Sequence, residues 1–155
     1  MERPFNEEIK KILQGVYIIT SSFKGKHNAM TAAWVSRISM NPPLLMVSVG
    51  DGRYSKELIS KGKCFAVHSV GERQIWLAKE FGAVSGNDKD KLVGKKFSIG
   101  KSGAPILGDC IAWFDCKLVK EVEAGDHSVF IGEIIDARVV EPEGKTLAYE
   151  RERFR

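Results

Sequence analysis

The 155-residue sequence contains no long hydrophobic run. Its longest apolar stretches, such as residues 44–49, are much shorter than the roughly 20 residues that a transmembrane helix needs. Residues 1–14 carry too many charges for a secretory signal peptide. We therefore expect a cytoplasmic protein with no membrane partner.

Cysteine is also scarce. The three cysteines, Cys64, Cys110 and Cys116, cannot all pair within one chain, and their spacing does not match the C-x-x-C pattern of metal or redox sites. The sequence therefore predicts reduced, mostly buried thiols and no metal site.

The charge excess is small. The chain has 24 basic and 20 acidic side chains, a net charge of +4, which favours anionic partners only mildly. Basic residues are spread among acidic ones, without the interleaved basic and aromatic residues of an RNA-binding strand. We therefore expect no nucleic-acid partner.

Several strong catalytic and nucleotide-binding motifs are absent. The sequence contains no G-x-G-x-x-G, no G-x-x-x-x-G-K-[ST], no G-x-S-x-G and no H-E-x-x-H. If a nucleotide binds here, neither a Rossmann turn nor a P-loop holds it.

What is present is a series of short helix and strand patterns, predicted to form one domain over residues 1–155. The predicted helices span residues 6–13, 54–61 and 72–81. The predicted strands span residues 16–23, 30–39, 44–49, 64–70, 111–122 and 128–140, with a hairpin turn at 24–26 and a long loop at 82–101. Strands and helices do not alternate, which favours a mostly β, antiparallel barrel with a few short helices over a parallel sheet.

The first candidate site is the strand at residues 28–34, which is unusually rich in small and polar residues. Its members are Asn28, Ala29, Met30, Thr31, Ala32, Ala33 and Trp34. Alanines let a flat ligand approach the backbone, and Asn28 and Thr31 offer hydrogen bonds to a heterocycle with polar edges. The alternative interpretation is that the small residues accommodate a neighbouring helix.

The second candidate site is the turn that leads into the helix predicted at 54–61. Its members are Ser48, Val49, Gly50, Arg53, Tyr54, Ser55 and Lys56. Free backbone N–H groups at a helix start attract phosphate, and Arg53, Ser55 and Lys56 would add charge-assisted hydrogen bonds. The alternative is a capped surface helix with solvated charges.

Histidines provide a third, weaker signal. The turn at Gly125-Asp126 places His127 at the start of a strand. This position would put an ionisable imidazole at the mouth of the predicted barrel. A turn histidine is more often simply exposed. His27 is expected at a hairpin tip, and His68 either lies in the core or faces a pocket.

Taken in order, these pieces resemble the flavin reductase-like family. The motifs that carry the resemblance lie at 15–16 (GV), 20 (T), 28–34 (NAMTAAW), 41–44 (NPPL), 54–55 (YS), 62–65 (GKCF), 85–88 (SGND), 90–92 (DKL), 103–107 (GAPIL), 125–127 (GDH) and 132–134 (GEI). One departure is His68, where the family often has Asn.

The resemblance implies an FMN-binding split β-barrel and a homodimer. It places strand 28–34 along the isoalloxazine ring and the 50–56 turn at the ribityl phosphate. It places Ser85 and Lys91 in a second wall, either on the phosphate side or facing a partner subunit. It also places His127 on the nicotinamide side, in an orienting or polarising role.

The resemblance further implies hydride transfer from NADH or NADPH to flavin, with electrons passed to a second flavin, an iron complex or a protein acceptor. The alternative is a flavoredoxin-like FMN electron carrier with little NAD(P)H activity. The acceptor, the nicotinamide preference and the retention of FMN stay open. Residues 141–155 are expected to form either a dimer arm or a disordered tail.

Overall fold

The structure, a computed structural model, describes residues 3–154 and is built around a seven-stranded antiparallel sheet. The helices are α1 (Asn6–Ile9), α2 (Tyr54–Gly62) and α3 (Ile75–Ala83), with 3₁₀ turns at Glu72–Gln74 and Arg151–Phe154. The strands are β1 (Tyr17–Phe23), β2 (Lys26–Ala32), β3 (Val35–Met40), β4 (Pro43–Gly50), β5 (Cys64–Ser69), β6 (Ser98–Ile99), β7 (Pro105–Ile106), β8 (Ala112–Ala124) and β9 (His127–Val139). Within residues 3–154, no helix is long and apolar enough to cross a membrane.

The predicted fold class is confirmed. Strands follow one another in the order β2-β1-β5-β8-β9-β4-β3, and β6 and β7 form a separate pair. Every paired strand runs antiparallel to its neighbour. The predicted hairpin turn after β1 also forms, with positive φ at both Lys24 and Gly25, as the tight turn between two twisted strands requires.

The prediction of one continuous strand over residues 30–39 is wrong, because this segment belongs to two separate strands. β2 ends at Ala32 and β3 begins at Val35, and the two strands lie on opposite edges of the sheet. If the sheet were flat, those edges would be about 29 Å apart. The link of Ala33 and Trp34 can span only about 11 Å. The sheet must therefore curl until its two edges approach each other at this end.

The N-terminal helix is shorter than predicted. It covers only Asn6–Ile9, and Ile9, Ile12 and Leu13 are exposed. A single turn of helix has little stability of its own. Among the described residues it has no apolar surface to pack against, so the predicted extension to Leu13 does not form.

The C-terminal segment, expected to be an arm or disordered, instead docks on its own chain. Leu147 is buried, and its backbone bonds to both Val16 and Val70. The Arg153 guanidinium donates two hydrogen bonds, of 2.9 and 2.8 Å, to the Glu72 carboxylate. This segment therefore completes the core beside β1.

Two apolar clusters lie on the two faces of β1. The interior cluster fills the curled sheet and includes Ile19, Val47, Phe65 and Phe130, with Ile59 of α2 inserted into it. The outer cluster lies under α3 and includes Val16, Ile18, Ala29, Leu77, Ala78, Phe81 and Leu147. Helices α2 and α3 are thus held at fixed positions beside β2.

Polar side chains on β1 and β5 hold the segment that contains β7. Thr20 Oγ1 donates to the Pro105 carbonyl at 2.5 Å, and Ser22 Oγ donates to the Gly103 carbonyl at 2.6 Å. The fully buried His68 makes two further bonds: Nδ1 lies 3.1 Å from the Ile18 carbonyl, and Nε2 accepts the Leu107 N–H at 3.0 Å. His68 is therefore a core histidine in which both ring nitrogens form hydrogen bonds to the backbone.

This arrangement makes stability depend on the charge of His68. Burial lowers the pKa of His68 from 6.5 to about 4, because the charged imidazole would lose its hydration in the core. A second ring proton would also face the Leu107 N–H. The unfolded chain takes up that proton below about pH 6.5 and the folded chain does not until about pH 4. We expect up to about 3 kcal/mol of folding free energy to be lost as pH falls through that window.

Urea unfolding of the wild type and of His68→Asn at several pH values between 7.5 and 4 measures this effect. The Asn variant cannot take up the proton, so its unfolding free energy should change less with pH than that of the wild type. Parallel pH profiles for the two proteins would contradict the assignment.

Candidate functional site

A polar cleft lies where β2, the start of α2 and the loop after α3 meet. It is lined by Asn28, Met30, Arg53, Tyr54, Ser55, Ser85, Gly86 and Lys91. Seven of these eight residues belong to the set predicted from the sequence, although they come from three separate segments. The antiparallel pairing of β2 with β1 and the seating of α2 against both strands bring them together.

Asn28 is the buried polar centre of this cleft. Its side chain is only 2% exposed, and its Nδ2 donates to Ser55 Oγ at 2.9 Å. Its Oδ1 is buried and has no hydrogen-bond partner among the described residues. A buried amide oxygen without a partner is costly. Asn28 lines the cleft, so the wall of the cleft contains an acceptor that no described residue satisfies.

Two cations lie beside this acceptor. Arg53 is the N-cap residue of α2, and the free backbone N–H groups of the first helical turn lie next to it. Lys91 is buried, and its Nζ donates to the Phe81 carbonyl at 2.8 Å. Burial and, secondarily, the charge of Arg53 lower the pKa of Lys91 to about 8. Together these groups suit an anion such as a phosphate.

The loop after α3 closes the cleft through a close backbone approach. A Cβ atom on Gly86 would lie 2.4 Å from Asn28 Oδ1, so only glycine fits here without movement. Asn87 Nδ2 donates to the Gly52 carbonyl at 3.0 Å, which ties this loop to the turn before α2. The sequence prediction named Ser85 and not Gly86, although the glycine in the Ser-Gly-Asn motif was the available signal.

His127 lies at the neighbouring end of the sheet. Its Nδ1 is 2.6 Å from Asp126 Oδ1, and its ring centroid is 4.5 Å from that of Trp34. The hydrogen bond from His127 lowers the pKa of the Asp126 carboxyl. His127 pairs with Gly50 in the sheet, so its ring is beside the turn that leads to Arg53. Asp126 was not predicted as a site residue.

The predicted strand 28–34 divides its side chains between two faces. Asn28 and Met30 line the cleft, and Met30 and Ala32 also pack on the interior cluster. Ala29 instead packs under α3, and Thr31 Oγ1 donates to the Ala78 carbonyl of α3 at 2.5 Å. For these two side chains, accommodation of a helix is the contact observed. Ala33 and Trp34 form the link to β3.

The remaining predicted residues lie around the cleft without lining it. Val49 is buried in the interior cluster, and the Ser48 N–H donates to the Trp34 carbonyl. Lys56 forms an ion pair of 2.8 Å with Asp51. Gly50 is at the end of β4, next to His127.

Two known proteins are similar to this chain over most of its length. The High molecular weight rubredoxin of Moorella thermoacetica is 35% identical over 139 residues, which cover 87% of this chain and 60% of that protein. The Diflavin flavoprotein A 1 of a Synechocystis strain is 31% identical over 153 residues, which cover 97% of this chain and 26% of that protein. The chain thus spans only part of the length of these two relatives.

A solved structure extends the similarity to the whole fold. The flavin reductase PheA2 in its native state superposes with a TM-score of 0.82 at 32% identity, covering 96% of this chain and 93% of that chain. The profile of the family described as "Flavin reductase like domain" matches residues 9–155. The chain therefore belongs to the flavin reductase-like family.

Proposed function

We propose that this chain binds FMN in the cleft and is an NAD(P)H-dependent flavin reductase. The observation that carries the proposal is the pairing of an unpartnered buried acceptor, Asn28 Oδ1, with two cations and a helix start. A ligand for this cleft must carry both hydrogen-bond donors and an anion. FMN has both, in its ribityl hydroxyls and ring N–H and in its phosphate.

The residues present fit that cofactor. Arg53, Lys91 and the free N–H groups of Tyr54 and Ser55 would hold the phosphate. Asn28 would accept a hydrogen bond from the less charged part of the ligand. Gly86 allows the 85–91 loop to lie directly against Asn28, so the cleft is walled on this side.

The bound flavin would supply the redox chemistry, taking a hydride from NADH or NADPH and passing electrons to a second flavin, an iron complex or a protein acceptor. The chain's own task is orientation. His127 keeps a proton on Nδ1 toward Asp126, so in its neutral form Nε2 carries a lone pair beside Gly50. This nitrogen is available to hold the nicotinamide carboxamide.

An absorbance spectrum of the purified protein tests the proposal first, followed by anaerobic addition of NADH and then NADPH. We expect flavin bands, after reconstitution with FMN where needed, that bleach with one of the two nucleotides. Absence of bound flavin after reconstitution would contradict the cofactor assignment. Bands that bleach with dithionite and with neither nucleotide would instead identify a flavoredoxin-like electron carrier.

A single methyl group in the 85–91 loop tests the placement of the cofactor. Gly86→Ala puts a Cβ within 2.8 Å of three Asn28 side-chain atoms. The displaced amide should weaken FMN binding at least about tenfold, or ~1.4 kcal/mol. A fluorescence titration with FMN measures the dissociation constant.

The matched control is Gly108→Ala, where the added Cβ meets nothing within 4 Å and the backbone φ is not positive. Gly108 lies outside the cleft. The control should bind FMN as the wild type does. Equal affinity in the two variants would place the cofactor elsewhere.

We further propose a homodimer that uses the sheet's exposed apolar residues. Ile38 and Met40 of β3, Val119 of β8 and Ile135 of β9 are exposed, and these strands belong to the run β8-β9-β4-β3 of the sheet. Exposed apolar groups that cluster on a protein surface are typical of protein interfaces. Sedimentation should therefore give about twice the chain mass of 17.2 kDa.

Val119→Glu should shift this equilibrium toward the monomer. Ile99→Glu is the matched control, because Ile99 is 56% exposed, as Val119 is, and lies in the separate β6-β7 pair. A wild-type protein that sediments as a monomer, or a dimer broken equally by both variants, would argue against this interface.

A further inference from the structure

Trp34 combines a fixed backbone with an exposed side chain. It lies in the two-residue link between β2 and β3, and its carbonyl accepts the Ser48 N–H at 3.0 Å. Its side chain is still 49% exposed, which is unusual for an indole held at one end of a barrel. The buried part of the ring lies against His127, with centroids 4.5 Å apart and planes tilted by 37°.

His127 is bounded on its other sides by much weaker restraints. Its Nδ1 bonds to Asp126, whose side chain is 84% exposed, and a hydrogen bond to such an exposed carboxylate holds a ring loosely. At the opposite edge, Gly50 has no side chain, and a Cβ there would lie 3.6 Å from Nε2. The exposed Asp126 carboxylate and Gly50, which has no side chain, therefore restrict rotation of the imidazole about its Cβ–Cγ bond only weakly.

We propose that Trp34 is a positioning residue that fixes the ring plane of His127. The indole covers one face of the imidazole, so the ring can rotate only by losing this aromatic contact. With the face covered and Nδ1 turned toward Asp126, Nε2 faces the turn from Gly50 to Arg53, whose far end lines the cleft. The link that joins the two sheet edges thus also sets the orientation of the imidazole.

The contact between Trp34 and His127 does not depend on the proposed activity. Its consequence for hydride transfer rests on the proposed function, in which Nε2 holds the nicotinamide. The experiment therefore has one arm without any cofactor and one arm with the loaded protein.

The first arm is proton NMR of the imidazole resonances. The chain has only three histidines, so His127→Gln assigns the signal of His127 directly. We expect the His127 ring protons to be shifted upfield by the indole in the wild type. The shift should persist in part in Trp34→Phe and disappear in Trp34→Leu.

Trp76→Leu is the matched control, since Trp76 on α3 is 51% exposed, and within residues 3–154 the aromatic partner of His127 is Trp34. This variant should leave the His127 signal unchanged. A His127 resonance that is the same in the wild type and in Trp34→Leu would overturn the proposal.

The second arm compares reduction of the bound flavin by NADH or NADPH in the same variants. With the flavin site saturated, Trp34→Leu should slow reduction about tenfold, with Trp34→Phe recovering most of the rate. In a His127→Gln background the same change should have no further effect, because Trp34 acts through His127. An equal loss in both backgrounds would mean that Trp34 contacts the nucleotide itself, which contradicts a positioning role.

The two arms separate the possible failures. If neither nucleotide reduces the wild-type flavin, the proposed reductase function is wrong, and the NMR arm still decides whether Trp34 orders His127. If reduction occurs and the His127 signal does not respond to Trp34, the positioning proposal alone is wrong.

Discussion

The short link between β2 and β3 is the constraint on which the architecture depends. These strands are the two edges of a seven-stranded sheet, and only Ala33 and Trp34 join them. Two residues cannot cross a flat sheet of that width, so the sheet must curl. The curl encloses the interior cluster around Phe65 and Phe130. Trp34 leads into β3, and its carbonyl accepts the Ser48 N–H of β4. Because β9 is the next strand beside β4, the indole lies against His127 of β9.

The same curl explains why the cleft forms at α2. β1 and β2 lie at one edge of the sheet, and α2 inserts Ile59 into the interior cluster beside them. The start of α2 is thereby pressed against Asn28, and the Asn28–Ser55 hydrogen bond joins strand to helix. The cations Arg53 and Lys91 then reach the same space from two other segments. Hydrophobic packing of α2 on the interior cluster thus determines where these polar groups meet.

Many of the strands and most of the cleft residues could be predicted from local sequence. The β-branched and aromatic runs that became β1, β8 and β9 have clear strand patterns. The two candidate segments and the family resemblance together named seven of the eight cleft residues. The break at Ala33 and Trp34 could not be predicted, because neither residue is a turn former and the strand pattern runs through them. Likewise, no local signal showed that Leu147 returns to the core, since that contact depends on the completed barrel.

A polar residue on a core strand does not by itself indicate a ligand site. Thr20, Ser22 and His68 carry hydrogen bonds that hold the β7 segment, and Thr31 carries one that holds α3. From sequence alone each could equally have faced a ligand. Asn28 differs, because among the described residues it is the cleft-lining residue whose side chain keeps a buried atom without a partner. A buried acceptor that the fold leaves unsatisfied is better evidence for a ligand than the polarity of the strand around it, since the fold has no other use for it.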